Sequence, residues 1–249
     1  MKHQYFGDIH DFKKYTLLNW FMEKCNGRLL VAWYLTNDDD SGDGKKLDYL
    51  EIEKEFINHK NIARCYKALF DFLQKEHNKK NLEIIENNSK LIAKNIGFFK
   101  ENLDEYNDRK EWFEKLKQVV QNYDIVFADP DNGIKLNNES SNKHIKLSEI
   151  KELWKMGKSL IIYQHFPRFD REVIMAGMIF KLYKNLKNIK EPFICVVYSS
   201  DVAIIFILDN KYIRCFENIK LKLNQNCKNV NFLNVFEFTS KNLKKMQNE

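Results

Sequence analysis

Asp129 and Asp131 stand in the run Asp129-Pro130-Asp131-Asn132-Gly133, directly behind the apolar stretch Asp124-Ile125-Val126-Phe127-Ala128. Two carboxylates, an amide and a glycine turn at a strand end suit a polar ligand, although the same residue types also make ordinary turns. A second apolar run, Ser159-Leu160-Ile161-Ile162-Tyr163, is followed by Gln164-His165-Phe166-Pro167-Arg168. Pro167 disfavours the helical conformation at Phe166, which places His165 and Arg168 in an irregular segment beyond the strand. A carboxylate can stabilise developing positive charge and orient water, and His165 or Arg168 can stabilise a departing anion. Asp129, Asp131 and His165 are therefore the candidate catalytic residues. Asn132, Gln164 and Arg168 are candidates to bind the substrate, and Tyr163 to stack on it.

A third group lies at the start of the chain, in Tyr5-Phe6-Gly7-Asp8-Ile9-His10-Asp11-Phe12-Lys13-Lys14-Tyr15. Asp8, Asp11 and Lys14 follow at intervals of three and share one face of a helix. They read either as a cap with an Asp-to-Lys surface pair or, with Tyr5 and His10, as part of a base- or sugar-binding pocket. Tyr5, Asp8, Asp11 and Lys14 join the candidate binding residues on the second reading.

The elements that must position these groups alternate. Asp8 or Asp11 caps a helix running to about Cys25, which Asn26-Gly27 ends. Leu29 to Leu35 reads as a strand opening into the acidic loop from Asn37 to Gly44. Asn61 to His77 is a helix and Leu82 to Ile85 a short strand. Trp112 to Val120 and Leu147 to Met156 are helices leading into the Asp124 and Ser159 strands. After a helix from Arg171 to Leu186 come strands at Phe193–Tyr198, Val202–Leu208, Tyr212–Phe216 and Val230–Phe236, with Asp209-Asn210 as a hairpin turn. The expected fold is α/β, a three-layer Rossmann-like sheet, mostly parallel with an antiparallel C-terminal edge. It forms a single domain over residues 1–249 with a helical insertion at about 55–120. Parallel neighbours ending at Leu35, Ala128 and Tyr163 would bring the polar segments that follow these three strands, the Asn37–Gly44 loop among them, to one rim.

Composition sets the limits. The chain of 249 residues is 44% hydrophobic and 14% aromatic, enough for a substantial core, with no stretch approaching a membrane span. The segment Met1-Lys2-His3-Gln4-Tyr5 lacks the apolar centre of a secretory signal, so a cytoplasmic protein is expected. Five widely spread cysteines read as reduced thiols, most of them in the core. The net charge of +6, with lysines at 181, 184, 187 and 190 and between 220 and 245, is compatible with a polyanionic partner such as nucleic acid. Mg²⁺ held by these carboxylates with Asp38 to Asp40 would make a nuclease, but no nuclease spacing supports it, so no metal is expected.

Two resemblances refine this. The opening segment, its helix and first strand, and Asp129-Pro130-Asp131-Asn132 together resemble the adenine-N6 methyltransferases of 23S ribosomal RNA. That family carries an Asp- and Lys-containing helix, a strand with an acidic glycine loop, and a later strand-end Asp-Pro-Pro-Tyr. The resemblance implies a Rossmann-like fold and methyl transfer from S-adenosylmethionine. Two departures weigh against the activity. The loop after Leu35 lacks the tight small-residue glycine pattern, and Asp131-Asn132 replaces the aromatic floor for the base. No tight S-adenosylmethionine binding and no other cofactor are expected. Asp129-Pro130-Asp131-Asn132-Gly133 and His165-Phe166-Pro167 also resemble the strand ends of uracil-DNA glycosylases, whose Asp assists water attack on the sugar and whose His stabilises the leaving base. The expected function is a DNA glycosylase-type hydrolase of an N-glycosidic bond. A methyltransferase or degenerate relative, and a non-catalytic nucleic-acid or nucleotide-binding protein, are the alternatives.

Overall fold

The computed structural model describes residues 1–42, 44–51, 62–136, 141–166, 171–199, 201–227 and 233–238. In chain order its main elements are α1 (Ile9–Met22), β1 (Leu29–Ala32), α2 (Lys67–Glu76), α3 (Glu83–Asn87), β2 (Ile96–Phe99), α4 (Arg109–Val120), β3 (Ile125–Ala128), β4 (Gly133–Lys135), β5 (His144–Lys146), α5 (Leu147–Lys155), β6 (Ser159–His165), α6 (Arg171–Leu186), β7 (Phe193–Tyr198), β8 (Val202–Leu208), α7 (Ile213–Asn226) and β9 (Asn234–Phe238).

Seven strands form one sheet in the order β2-β1-β3-β6-β8-β7-β9. The first four run parallel, with Ala32, Ala128 and Ile162 level with one another. β8 runs against both β6 and β7, and β9 against β7. This is the expected α/β sheet with an antiparallel edge. β1, β3 and β8 are buried along their whole length. Continuous apolar strands of this kind need helices on both faces. Two clusters supply that cover. One joins α1, α2 and α7 to side chains such as Val31, Phe127 and Phe206, and the other joins α4, α5 and α6 to Leu30, Val126 and Ile162. Each fully buried aromatic or branched side chain contributes roughly 1.5–3 kcal/mol.

Several local expectations are corrected. Leu82–Ile85 is not a strand: Leu82 precedes α3 and Glu83, Ile84 and Ile85 open it, with Ile85 buried. Tyr212–Phe216 opens α7 instead of forming a strand. There Asp209 caps a 3-10 turn, accepting from Lys211 N at 3.1 Å, and Phe216, Ile219 and Leu223 recur at helical spacing. Four apolar residues are too few to separate the two periods. The stretch from about 55 to 120 supplies β2 as well as helices, and β2 is the edge partner of β1. β6 continues through Gln164 and His165, which pair with Ala203 and Val202, so His165 lies in the strand and not beyond it. The antiparallel partner extends the ladder past the parallel one. Strand β9 lies at Asn234–Phe238, while residues 230–232 of the expected strand fall outside the described residues. β1 is shorter than expected because Tyr34 adopts φ +48°, a conformation that a non-glycine residue in a strand does not take.

Candidate functional site

Strand β1 leads outward to β2 and strand β3 returns on its other side, so the sheet reverses between them. Ligands of open α/β sheets bind at the carboxyl ends beside such a reversal. Asp129 leaves β3 here, its N–H donating to Ala32 O at 3.0 Å. Its Oδ2 accepts from Lys14 Nζ at 2.7 Å, and the same ammonium lies 2.8 Å from Asp11 Oδ1. All three side chains are almost fully buried.

Helix α1 brings Lys14 to this point. Asp8 caps it, its Oδ1 accepting from His10 N at 2.9 Å and Asp11 N at 3.0 Å. Asp11 Oδ2 accepts from Gly7 N at 2.9 Å, which fixes the carboxylate toward Lys14. Lys14 Nζ also stands 5.0 Å from the centre of the Tyr163 ring. The Met1 ammonium donates to Tyr34 O at 3.0 Å and pairs with Asp131, whose other oxygen accepts from Thr36 Oγ1 at 3.4 Å.

Electrostatics follow from burial. Desolvation opposes charge on Lys14 most strongly, yet Asp11, Asp129 and Asp8 outweigh it and hold the amine protonated above its ordinary range. Burial pushes the Asp129 carboxyl up, against the pull of Lys14 and the terminal ammonium. Burial, reinforced by Asp11, pushes Asp8 up to about 7. Burial likewise raises the Tyr163 hydroxyl far above its usual value.

The structure therefore joins Asp8, Asp11, Lys14, Asp129 and Tyr163 in one buried network, with Asp131 beside it. The other candidates are placed differently. The Gln164 amide is occupied by backbone: Oε1 accepts from Ile134 N at 2.8 Å, and Nε2 donates to Asn132 O at 3.1 Å and His165 O at 2.7 Å. Gly133 takes φ +94°, and a Cβ there would meet the Gln164 amide at 2.4 Å. Gln164 thus positions the Asp129–Gly133 turn and has no amide edge left for a base. Asn132 and His165 are exposed. Tyr5 sits in an N-terminal 3-10 turn, with Lys2 Nζ 5.7 Å from its ring centre. Arg168 lies outside the described residues.

A second cluster, buried at His10, Lys13 and Ser199 and open to solvent at Lys46, was not expected. Lys13 Nζ donates to Ser199 Oγ at 3.0 Å, and His10 Nε2 lies 3.4 Å from Asp201 and 3.3 Å from Lys46. Burial drives His10 down to about 3, with Asp201 opposing and Lys13 and Lys46 assisting. His10 and Lys13 form the helical stripe beside Asp11 and Lys14, a spacing visible in the sequence; Ser199 and Asp201 are 186 residues or more away and gave no signal.

The open space lies next to this network. One cavity of about 890 Å³ sits at the carboxyl ends of β1 and β2 and is lined in part by Asn37, Asp38, Phe98, Phe99 and Glu101. Another of about 600 Å³ lies across the Thr36–Asp38 loop, bordered by Lys2, Asp104, Asn142 and Lys143. Among the described residues no three His, Cys, Asp or Glu side chains stand together as a metal site, and no helix is long and apolar enough to cross a membrane.

No protein-family model matches the chain, and no curated protein matches it.

Proposed function

We propose that the chain binds a nucleoside-bearing ligand at the carboxyl ends of β1 and β2 and works on nucleic-acid bases, as a relative of the adenine-N6 methyltransferases that it resembles. The carrying observation is the 890 Å³ cavity beside the sheet reversal, with Phe98 and Phe99 in its wall and Glu101 just beyond β2. An aromatic wall suits a base, a carboxylate after the neighbouring strand suits ribose hydroxyls, and the volume suits a ligand of nucleoside size. Asn37 and Asp38 add polar groups at the end of β1.

S-Adenosylmethionine fits in part. Its nucleoside matches these residues. Its amino-acid end finds no glycine cradle, because Gly44 is used elsewhere: a Cβ there would meet Gln4 O and Tyr5 at 2.8 Å. Where the resembling enzymes place an aromatic floor, this chain has Asp131 paired with the Met1 ammonium. The nucleoside end of such a ligand is therefore accommodated, and the methyl-transfer end is altered. Calorimetry with adenosine and with S-adenosylmethionine tests it: both should bind, with affinities within about tenfold of each other. Silence from both overturns it.

The glycosylase reading ranks second, supported by the shared rim of Asp129, Asp131 and His165 on the adjacent strands β3 and β6. A carboxylate that orients water must reach it, and Asp129 is 1% exposed and bound to Lys14. Hydrolysis would require that pair to open. Release of free base from DNA by the wild type, lost by about 10²–10⁴-fold in Asp129→Asn, would put this reading first. Nucleic acid as partner rests on the excess of lysine, and cytoplasmic placement on composition alone.

A further inference from the structure

Four of the five cysteines are paired, Cys25 with Cys215 and Cys65 with Cys227, against the expectation of reduced thiols. Separations of 190 and 162 residues hid the pairing in the sequence. The Cα–Cα distances of 5.7 and 5.5 Å lie within the range that a disulfide spans. Both pairs act on α7. Cys215 stands in its first turn and Cys227 just past its last residue, whereas Cys25 follows α1 and Cys65 precedes α2.

We propose that Cys25–Cys215 is a reversible thiol–disulfide switch and that Cys65–Cys227 is a shielded cross-link. Exchange requires an in-line approach to a sulfur atom, and access sets its rate. Cys25 is partly exposed, whereas Cys65 and Cys227 are 3% and 6% exposed. The reduced form also has a place for its thiol: Cys215 Sγ lies 3.4 Å from Lys24 O, an acceptor for the S–H. The contact between helices does not depend on the bond. Asn218 Nδ2 donates to Trp20 O at 2.6 Å, Lys222 pairs with Glu23 at 3.0 Å, and Phe216 and Ile219 are fully buried. Reduction therefore loosens the first turn of α7 against the end of α1, the helix that carries Asp8, Asp11 and Lys14, while the fold persists.

The oxidant is a small disulfide of the glutathione class. The Cys25 thiolate attacks it, forming a mixed disulfide and releasing one thiolate. The Cys215 thiolate then displaces the second. Two protein thiols lose two protons and two electrons, and the small disulfide becomes two thiols.

The test is alkylation with iodoacetamide of the native full-length chain equilibrated in reduced or oxidised glutathione, with peptide mapping. In reduced buffer Cys25 should label at least about tenfold faster than Cys65 and Cys227, and in oxidised buffer it should be protected. Reduction of this pair should lower the melting temperature by about 5–10 °C without abolishing the transition. Cys215→Ser should trap one glutathione on Cys25. Should that variant not fold, the wild-type labelling order decides alone. Equal labelling of Cys25, Cys65 and Cys227 in reduced buffer, or no protection of Cys25 in oxidised buffer, overturns the switch.

Discussion

Lys14 Nζ lies 2.7 Å from Asp129 Oδ2, joining the second turn of α1 to the end of β3 across 115 residues of sequence. Both groups are out of water: Lys14 owes its charge to Asp11 and Asp129, whereas charge on Asp129 is favoured by Lys14 and the terminal ammonium and opposed by Asp11. Removing one partner leaves a buried charge uncompensated, which typically costs 3–5 kcal/mol, more than an exposed pair would. Lys14→Met should therefore lose about 3–5 kcal/mol in urea unfolding, whereas Lys67→Met, which breaks the exposed pair with Asp71, should lose less than about 1 kcal/mol. Equal small losses would mean that water reaches the Lys14 network.

Asp8 gives a pH signature. Its folded carboxyl is raised to about 7 from an ordinary value near 4, so the folded state holds the extra proton. The favourable contribution is complete below about pH 4 and is lost as the pH rises through 7. Asp8→Asn keeps an oxygen to cap α1 and removes the titrating group. The variant should gain about 1–3 kcal/mol over wild type at pH 8 and much less at pH 5, measured by denaturant unfolding at each pH. A gain that does not change with pH would remove Asp8 from this role.

His10 acts in the opposite sense. Its folded value of about 3 lies below its ordinary value near 6.5, so the unfolded chain takes up a proton first as the pH falls. Stability from this group is present above about pH 6.5 and declines toward pH 3. His10→Gln should flatten the acid limb of the stability profile by up to one proton. An unchanged limb would show that His10 titrates normally.

The Asp129–Gly133 turn depends on Gly133 and Gln164 together. Gly133→Ala meets both a positive φ and the Gln164 amide, and should cost about 2–4 kcal/mol. In a Gln164→Ala background the clash disappears, and the same substitution should cost only about 1–2 kcal/mol, the backbone part. Additive costs in the double-mutant cycle would contradict the contact.

Much of this architecture was legible in the sequence. Ile125–Ala128 and Val202–Leu208 read as buried strands because their apolar runs are unbroken, and a cap at Asp8 or Asp11 was read because short acidic side chains precede the periodic residues of α1; the cap is Asp8. The stripe of Asp8, Asp11 and Lys14 gave the right helix face but the wrong environment. Spacing shows which side chains meet along a helix, whereas their burial is decided by β3 and β6 packing over them. The role of Gln164 was hidden for a similar reason, since its partners Ile134, in β4, and Asn132, in the turn before it, lie 30 and 32 residues away. Strand β2 was missed because Ile96-Gly97-Phe98-Phe99 is short and contains a glycine, and Gly97 is there to admit the Tyr123 hydroxyl, which a Cβ would strike at 2.0 Å.

A nucleoside bound beside β2 would meet Glu101 with its ribose hydroxyls, so this carboxylate is the residue to vary. Glu101 Oε2 pairs with the Tyr106 hydroxyl and lies 3.6 Å from Lys115, at the surface, so its removal does not threaten the core. Adenosine titrated calorimetrically into the wild-type chain should bind with a dissociation constant of tens of micromolar, about −6 kcal/mol, and Glu101→Ala should weaken this at least about tenfold while the melting temperature stays within about 2 °C. No heat from adenosine at millimolar concentration, or equal affinity in the Glu101→Ala variant, would contradict the account.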